Sequence, residues 1–446
     1  MTTADQAFAW GPFAPVTEEV TLTDLPVEGE IPRELDGLLV RNGPNPYGPA
    51  EAGDHWFTGD GMLHGLRLAG GRARSYRNRW VRTGYLAWQR GEGPKPEPGD
   101  GDSPANTHVV RHASRILALC EVGLPYEVTP ALETAGRFDF GGRLAGPMTA
   151  HPKLDPDTGE LIFLGYGWAP PFVRYHVADR RGELVHSVQI DVAGPTMMHD
   201  CAITATRTLL LDLPVCFDPQ MLAQTKMPYR FMPEYGARVG ILPRHGTSGD
   251  VRWFEIEPCY VFHTLNAWDD GDRVVLLAAR YPSMFDWSET DARFVGAPLA
   301  TLHRYTFDLA TGAAKAEAVD DLALEFPRTD ERQLGRPHRY GYTVSVERDP
   351  ERGPAFRHLV KHDLATGRRE MHRVGPGDMC SEPVFAPGGP SEEDGWLLAV
   401  RFEAERDASD VLVIDAADFS GPPRARIRLP VRIPVGFHGS WLPGPG

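Results

Sequence analysis

An all-β fold, a propeller of about seven units, is what this sequence predicts. Three observations carry the prediction. Long amphipathic helical patterns are nearly absent. Short apolar runs bounded by Gly, Pro and Asp recur along the chain instead. A strand–turn–strand hairpin also repeats at intervals close to the size of a propeller blade.

The apolar runs come first in the argument. RILALCEV, ELIFLGYGW, TLLLDLPV, RVVLLAARY and GWLLAVRF have strand length, and several are apolar enough to be buried on both faces. The hairpins follow: LRLAGGRARSY, YHVADRRGELVHSV, YTFDLATGAAKAEAV, KHDLATGRREMHRV and VIDAADFSGPPRARI each place a polar, Gly-bearing turn between two strands. Their turn glycines are Gly71, Gly182, Gly312, Gly367 and Gly421, and Gly249 in TSGDVRWFEI adds a sixth. The successive spacings are 111, 67, 63, 55 and 54 residues, so a unit without a visible signature inside the first gap brings the total to seven. Seven units closing on one axis make one domain over residues 1–446. Two segments interrupt the pattern: a polar loop over 90–104, and an apolar loop over 214–243 crowded with Met221, Leu222, Met227, Tyr229, Phe231 and Met232. The second is either packed on its own core or an apolar lip that meets a greasy substrate or a membrane surface.

Composition narrows the function. The chain has 446 residues, 41% hydrophobic, with 47 Gly and 41 Pro, a load of turn formers that stays below that of a disordered chain. A formal charge of −15 argues against a nucleic-acid partner, which requires a basic footprint. No apolar run reaches the length of a spanning helix, and the first residues carry neither the basic nor the apolar part of a secretory signal. Five scattered cysteines, Cys120, Cys201, Cys216, Cys259 and Cys380, read as reduced thiols of a cytoplasmic protein. No obligate protein partner is evident.

Histidine is in surplus, at 16. His176, His186, His358, His362 and His372 lie in polar hairpins and read as solvated. His151, His199, His263 and His438 instead stand in apolar or Gly-rich settings, each on a different unit. Innermost strands of a propeller converge, so the four could meet around one divalent ion and leave positions open for a small molecule. Spacing alone favours four unrelated buried histidines over a shared ion. Histidine ligands need acceptors for their second ring nitrogen. Glu121, Glu325 and Glu382 occur in apolar strand contexts where a lone carboxylate is costly, although each also suits an exposed strand end.

RNGPNPYGP, HWFTGDGMLHGL, ANTHVV, ILALCEVGLPYEV, MTAHPKLDPDTGELIFLGYG, MMHDCAIT, EFPR, SEPVFAP and GFHGSWLP, in this order over nearly the whole chain, resemble the carotenoid cleavage oxygenase family. The resemblance implies a seven-bladed β-propeller with a loop cap over one face that encloses a substrate tunnel. It further implies Fe(II) held by His151, His199, His263 and His438, with Glu121, Glu325 and Glu382 behind them. Thr107 matches a threonine whose methyl crowds an open iron position, and O₂ would be the co-substrate. The implied reaction is oxidative scission of a conjugated C=C into two carbonyl products.

Stilbene-cleaving members grip a phenol with a Tyr and with a Lys that directly precedes the first glutamate. Cys120 stands at that position here, and the 90–104 loop has no Tyr. The expected substrate is therefore a small apolar alkene, a carotenoid or apocarotenoid, lined by Phe57, Cys120 and Phe262. The alternatives are the same cleavage on a stilbene or phenylpropenoid, a retinoid isomerase-type reaction, and a non-catalytic binding propeller. Peripheral membrane contact through 214–243 completes the expectations.

Overall fold

The computed structural model describes residues 11–48, 55–97, 99–221, 227–286, 294, 296–349 and 353–444. Their strands form seven antiparallel sheets of four to six strands and one small two-stranded ribbon, the arrangement of a seven-bladed β-propeller. Blade 1 runs outward from Gly439–Pro443 through Gly37–Pro44, Gly61–Ala69 and Arg72–Trp80. Blade 2 runs from His108–His112 to Thr134–Arg137, blade 3 from Lys153–Leu154 to Leu184–Ile190, and blade 4 from Cys201–Ile203 to Arg252–Glu255. Blade 5 runs from Tyr260–Asp270 to Ala314–Ala318, blade 6 from Leu324–Arg328 to Arg368–His372, and blade 7 from Met379–Cys380 to Ala425–Arg428.

Both chain ends lock the ring. The C-terminal strand Gly439–Pro443 is the innermost strand of blade 1, while Val27–Gly29 adds to the outer edge of blade 7. A polypeptide closing a circle needs such an overlap, because blades meet through side chains rather than through a continuous ladder.

Burial follows position in the blade. Leu161–Tyr166, a second strand, is buried at every residue, since neighbouring blades cover both of its faces. The outermost strand Leu184–Ile190 alternates, with Leu184 and Ile190 inward and Val185 and Ser187 outward or partly so. This packing corrects one expectation: His176, His362 and His372 are not solvated but only 1%, 3% and 6% exposed. The polar face of a hairpin that would meet water in an isolated sheet meets the next blade here.

The hidden seventh unit is blade 2. Its outer turn, Thr129–Glu133, contains no glycine: the Thr129 hydroxyl accepts from the backbone of Ala131 and Glu133. Leu132 takes the left-handed conformation, at φ +63°, that Gly182 and Gly312 supply in blades 3 and 5 at φ +87° and +81°. The loop over 90–104 follows the helix Gly84–Gln89 and is tied down by Asp102, which accepts from the backbone of Gly84 and Tyr85. The stretch over 214–243 is more regular than expected. Val215–Phe217 pairs with Tyr229–Phe231, and Arg238–Pro243 is a strand of blade 4. Leu222 lies outside the described residues. Among the described residues, no helix is long and apolar enough to cross a membrane.

Candidate metal centre and cavity

The inner ends of the blades bring four imidazoles together. His151 and His199 lie two residues before the first strands of blades 3 and 4, His263 lies within the first strand of blade 5, and His438 directly precedes the innermost strand of blade 1. Nitrogens of His151, His263 and His438 lie within 4.8 Å of one another. The His199 ring centroid is 4.4 Å from that of His151 and 5.4 Å from that of His263. All four are buried, at 3–9% exposure.

Three carboxylates stand behind three of these rings. His199 Nδ1 lies 2.5 Å from Glu121 Oε2, His263 Nδ1 2.5 Å from Glu325 Oε2, and His438 Nδ1 2.9 Å from Glu382 Oε1. Engaging Nδ1 fixes the ring and leaves Nε2 for the axis, the arrangement that metal-bound histidines adopt. Each of the seven blades thus contributes one member of the set: histidines from blades 1, 3, 4 and 5, glutamates from blades 2, 6 and 7. Among the described residues His151 has no carboxylate behind it, and its buried Nε2 has no hydrogen-bond partner. Burial, and then the neighbouring imidazoles, hold His151 well below the ordinary histidine range, so it is neutral, the form that binds metal. An orphaned buried nitrogen among converging neutral imidazoles suits a divalent ion of imidazole preference, iron included.

The four rings divide two cavities. On one side lies an apolar cavity of about 420 Å³ whose walls include Phe57, Cys120 and Phe262, the three expected lining residues, together with Thr107. The Phe262 ring packs 5.2 Å from His199 and 6.0 Å from Phe57. Thr107 donates its hydroxyl to Asn106 Oδ1 at 2.9 Å, which leaves its methyl for the cavity. Burial pushes the Cys120 thiol up to about 11, with Glu121 adding to the effect, so it is a neutral wall element. The walls extend from Tyr85, Val122 and Trp168, all exposed, beside blades 2 and 3, to Val346 and Pro354 on blade 6 across the ring. Met227 and Tyr229 of the apolar stretch turn inward onto this cavity.

On the other side is a cavity of about 330 Å³ edged by His151, His263 and His438, with Lys153, Asp200, Arg328 and Glu382 in its walls. Lys153 pairs with Asp200 at 2.7 Å, and Arg328 with Glu382 at 3.1 Å.

Sequence reasoning missed several neighbours of the centre. His108, adjacent to Thr107, lies 5.2 Å from His438 by ring centroid, but its Nδ1 meets the Ala150 carbonyl at 2.9 Å. Phe326 stacks 5.4 Å from His263, and Tyr85, in the helix just before the 90–104 loop, lines the cavity. The position of Phe326 directly after Glu325 was the one available signal.

A family model described as retinal pigment epithelial membrane protein matches residues 13–443. The carotenoid cleavage oxygenase of Mycobacterium tuberculosis is 40% identical, aligned over 99% of this chain and 100% of that one. The isoeugenol monooxygenase of Pseudomonas nitroreducens is 31% identical over 98% of each chain. Among solved structures, the lignostilbene dioxygenase of Pseudomonas brassicacearum superposes with a TM-score of 0.89 at 30% identity, over 99% of both chains.

Proposed function

The chain belongs to the family of retinal pigment epithelial membrane protein and the carotenoid cleavage oxygenases, and on that footing we propose that it is an Fe(II)-dependent dioxygenase of carotenoids or apocarotenoids. His151, His199, His263 and His438 would hold the ion. When bound, ferrous iron supplies the dioxygen chemistry that cuts a conjugated C=C into two carbonyl products, one oxygen atom to each.

The protein's own part is orientation and exclusion of water. Glu121, Glu325 and Glu382 keep three imidazoles turned to the axis. Thr107 narrows the space beside them, and Phe57 and Phe262 form an apolar wall against which a flat polyene lies.

One observation carries the choice of substrate: no Lys or Arg lines the apolar cavity among the described residues. Among the described residues a phenolate would find no ammonium there, since Cys120 is a neutral thiol. A cavity that continues from blades 2 and 3 to blade 6 also suits a long substrate with its reacting bond in the middle.

The test is anaerobic reconstitution with Fe(II), then exposure to a panel of polyenes, stilbenes and phenylpropenoids under ¹⁸O₂. Label in both carbonyl products of a polyene is expected. Turnover of stilbenes alone would overturn the substrate reading, and isomerised product without O₂ uptake would overturn the dioxygenase reading.

Five buried, unpaired cysteines support a cytoplasmic location. The exposed end of the cavity, with Tyr85, Val122 and Trp168 in its walls along with Met227, Pro228 and Tyr229 of the apolar stretch, would collect substrate from a membrane surface. Liposome flotation tests this, with loss of binding expected on Trp168→Ser plus Val122→Ser. Flotation unchanged in that variant, or absent in the parent, contradicts it.

A further inference from the structure

His438 directly precedes Gly439–Pro443, the strand that closes the ring. It is held to the same axis as ligands anchored in mid-chain. We infer that Arg328 is the positioning residue that makes this possible, acting on His438 through Glu382; the inference rests on the metal centre proposed above.

The geometry begins with a bulge. Pairing in the first strand of blade 6 slips between Glu325 and Arg328, and Phe326 sits in the left-handed region at φ +53°. An irregularity of this kind re-aims successive side chains. Glu325 turns to His263, Phe326 packs 5.4 Å from both the His263 and His438 rings, and Arg328 emerges in the polar cavity. There its Nη1 lies 3.1 Å from Glu382 Oε2 and donates to the Gly439 carbonyl at 3.2 Å. Glu382 Oε2 accepts from the Gly439 amide at 2.9 Å, while Oε1 faces His438 Nδ1 at 2.9 Å. Arg328 and Glu382 together grip the residue after the ligand by both of its backbone groups, and the same carboxylate holds the ligand's ring.

Glu382 differs from its two counterparts in this respect. Glu121 has the Tyr166 phenol beside it and Glu325 the Tyr281 phenol, whereas Glu382 alone of the three is paired to a guanidinium. At 2% side-chain exposure Glu382 is also the most buried of the three. A buried carboxylate is costly unless hydrogen-bonded or charge-paired; Arg328 gives Glu382 that charge through Nη1 while Nη2 pairs with Glu331, so the planar guanidinium is held in direction between two carboxylates. Without Arg328, Glu382 is drawn toward water and His438 loses its brace.

The experiment is a double-mutant cycle read by Co²⁺ binding to metal-free protein, using chelator competition for affinity and visible absorption for coordination. Arg328→Met is expected to weaken Co²⁺ binding roughly 10–100-fold, the usual effect of losing an outer partner of a metal ligand. In a Glu382→Gln background the same change should cost less than about threefold, because the two act in series. Arg328→Lys, which keeps the charge but not the fork, should recover part of the loss. It also serves as the test variant if Arg328→Met does not fold, with weaker Co²⁺ binding in Glu382-containing protein only. Parent-like Co²⁺ affinity in the Arg328 variants, or an equal loss in both backgrounds, overturns the inference. Failure of the parent protein to bind Co²⁺ would instead overturn the metal centre itself.

Discussion

Histidines on the propeller axis and histidines inside the blades are buried to a similar degree, so burial does not distinguish them. His64, His176 and His362 are 1–5% exposed, much like the axial four. In the blades each imidazole answers to its own surroundings. His64 meets the Tyr76 hydroxyl at 2.8 Å, His362 lies between Thr343 and Asp320, and both nitrogens of His176 lack a partner among the described residues. On the axis, four rings from four blades face one another, and three have carboxylates on the far nitrogen. A metal centre is made by convergence of free nitrogens with braced backs, and isolation makes the same residue a packing element.

The largest effect should come from matching changes in the two regions. His199→Ala is expected to lose its iron and all detectable cleavage, whereas His176→Phe, equally buried, keeps parent-level iron by elemental analysis. Equal loss in both would show that the axis is not special. A smaller effect is expected one step back from the axis: Glu325→Gln should weaken metal retention roughly 10–100-fold in chelator competition while the protein stays folded.

Changes in the apolar wall come next. Phe57→Ala removes apolar contact worth roughly 1.5–3 kcal/mol when fully buried against substrate. The Michaelis constant for a polyene should rise about tenfold with metal content unchanged, and a change in iron occupancy instead would place Phe57 among the supports of the centre.

The smallest effect concerns acid. Burial lowers His55 to about 3 and His176 to about 4, and His64 falls to about 3 by burial aided by Arg41. Below about pH 6.5 the unfolded chain takes up protons that these folded imidazoles refuse. Stability is therefore lost as pH falls from about 6.5 toward those values. Thermal unfolding between pH 7 and 5 should show the decline, and His176→Phe should make it shallower. A parallel slope would remove His176 from the account.

The centre was legible because its members sit in distinctive local settings. MTAHP, MMHDC, VFHTL and GFHGS place each imidazole among apolar or glycine neighbours, and the hairpin turns announce most blades. Blade 2 was hidden because Thr129 and Leu132 perform the turn that glycine performs elsewhere. Arg328 lies within EFPR, yet nothing local reveals a partner on blade 7. The same holds for His176, whose polar hairpin reads as solvent-facing until the neighbouring blade is in place. Patterns along the chain report the face a strand presents; contacts between blades depend on how the circle closes.

The central claim is that one iron sits within four imidazoles contributed by blades 1, 3, 4 and 5. Iron quantification with X-ray absorption on the purified protein and on His438→Ala tests it most directly. The account predicts one iron per chain with the multiple-scattering signature of four imidazoles, and loss of iron in the variant. Full occupancy in His438→Ala, or an iron ligated chiefly by carboxylates, would contradict it.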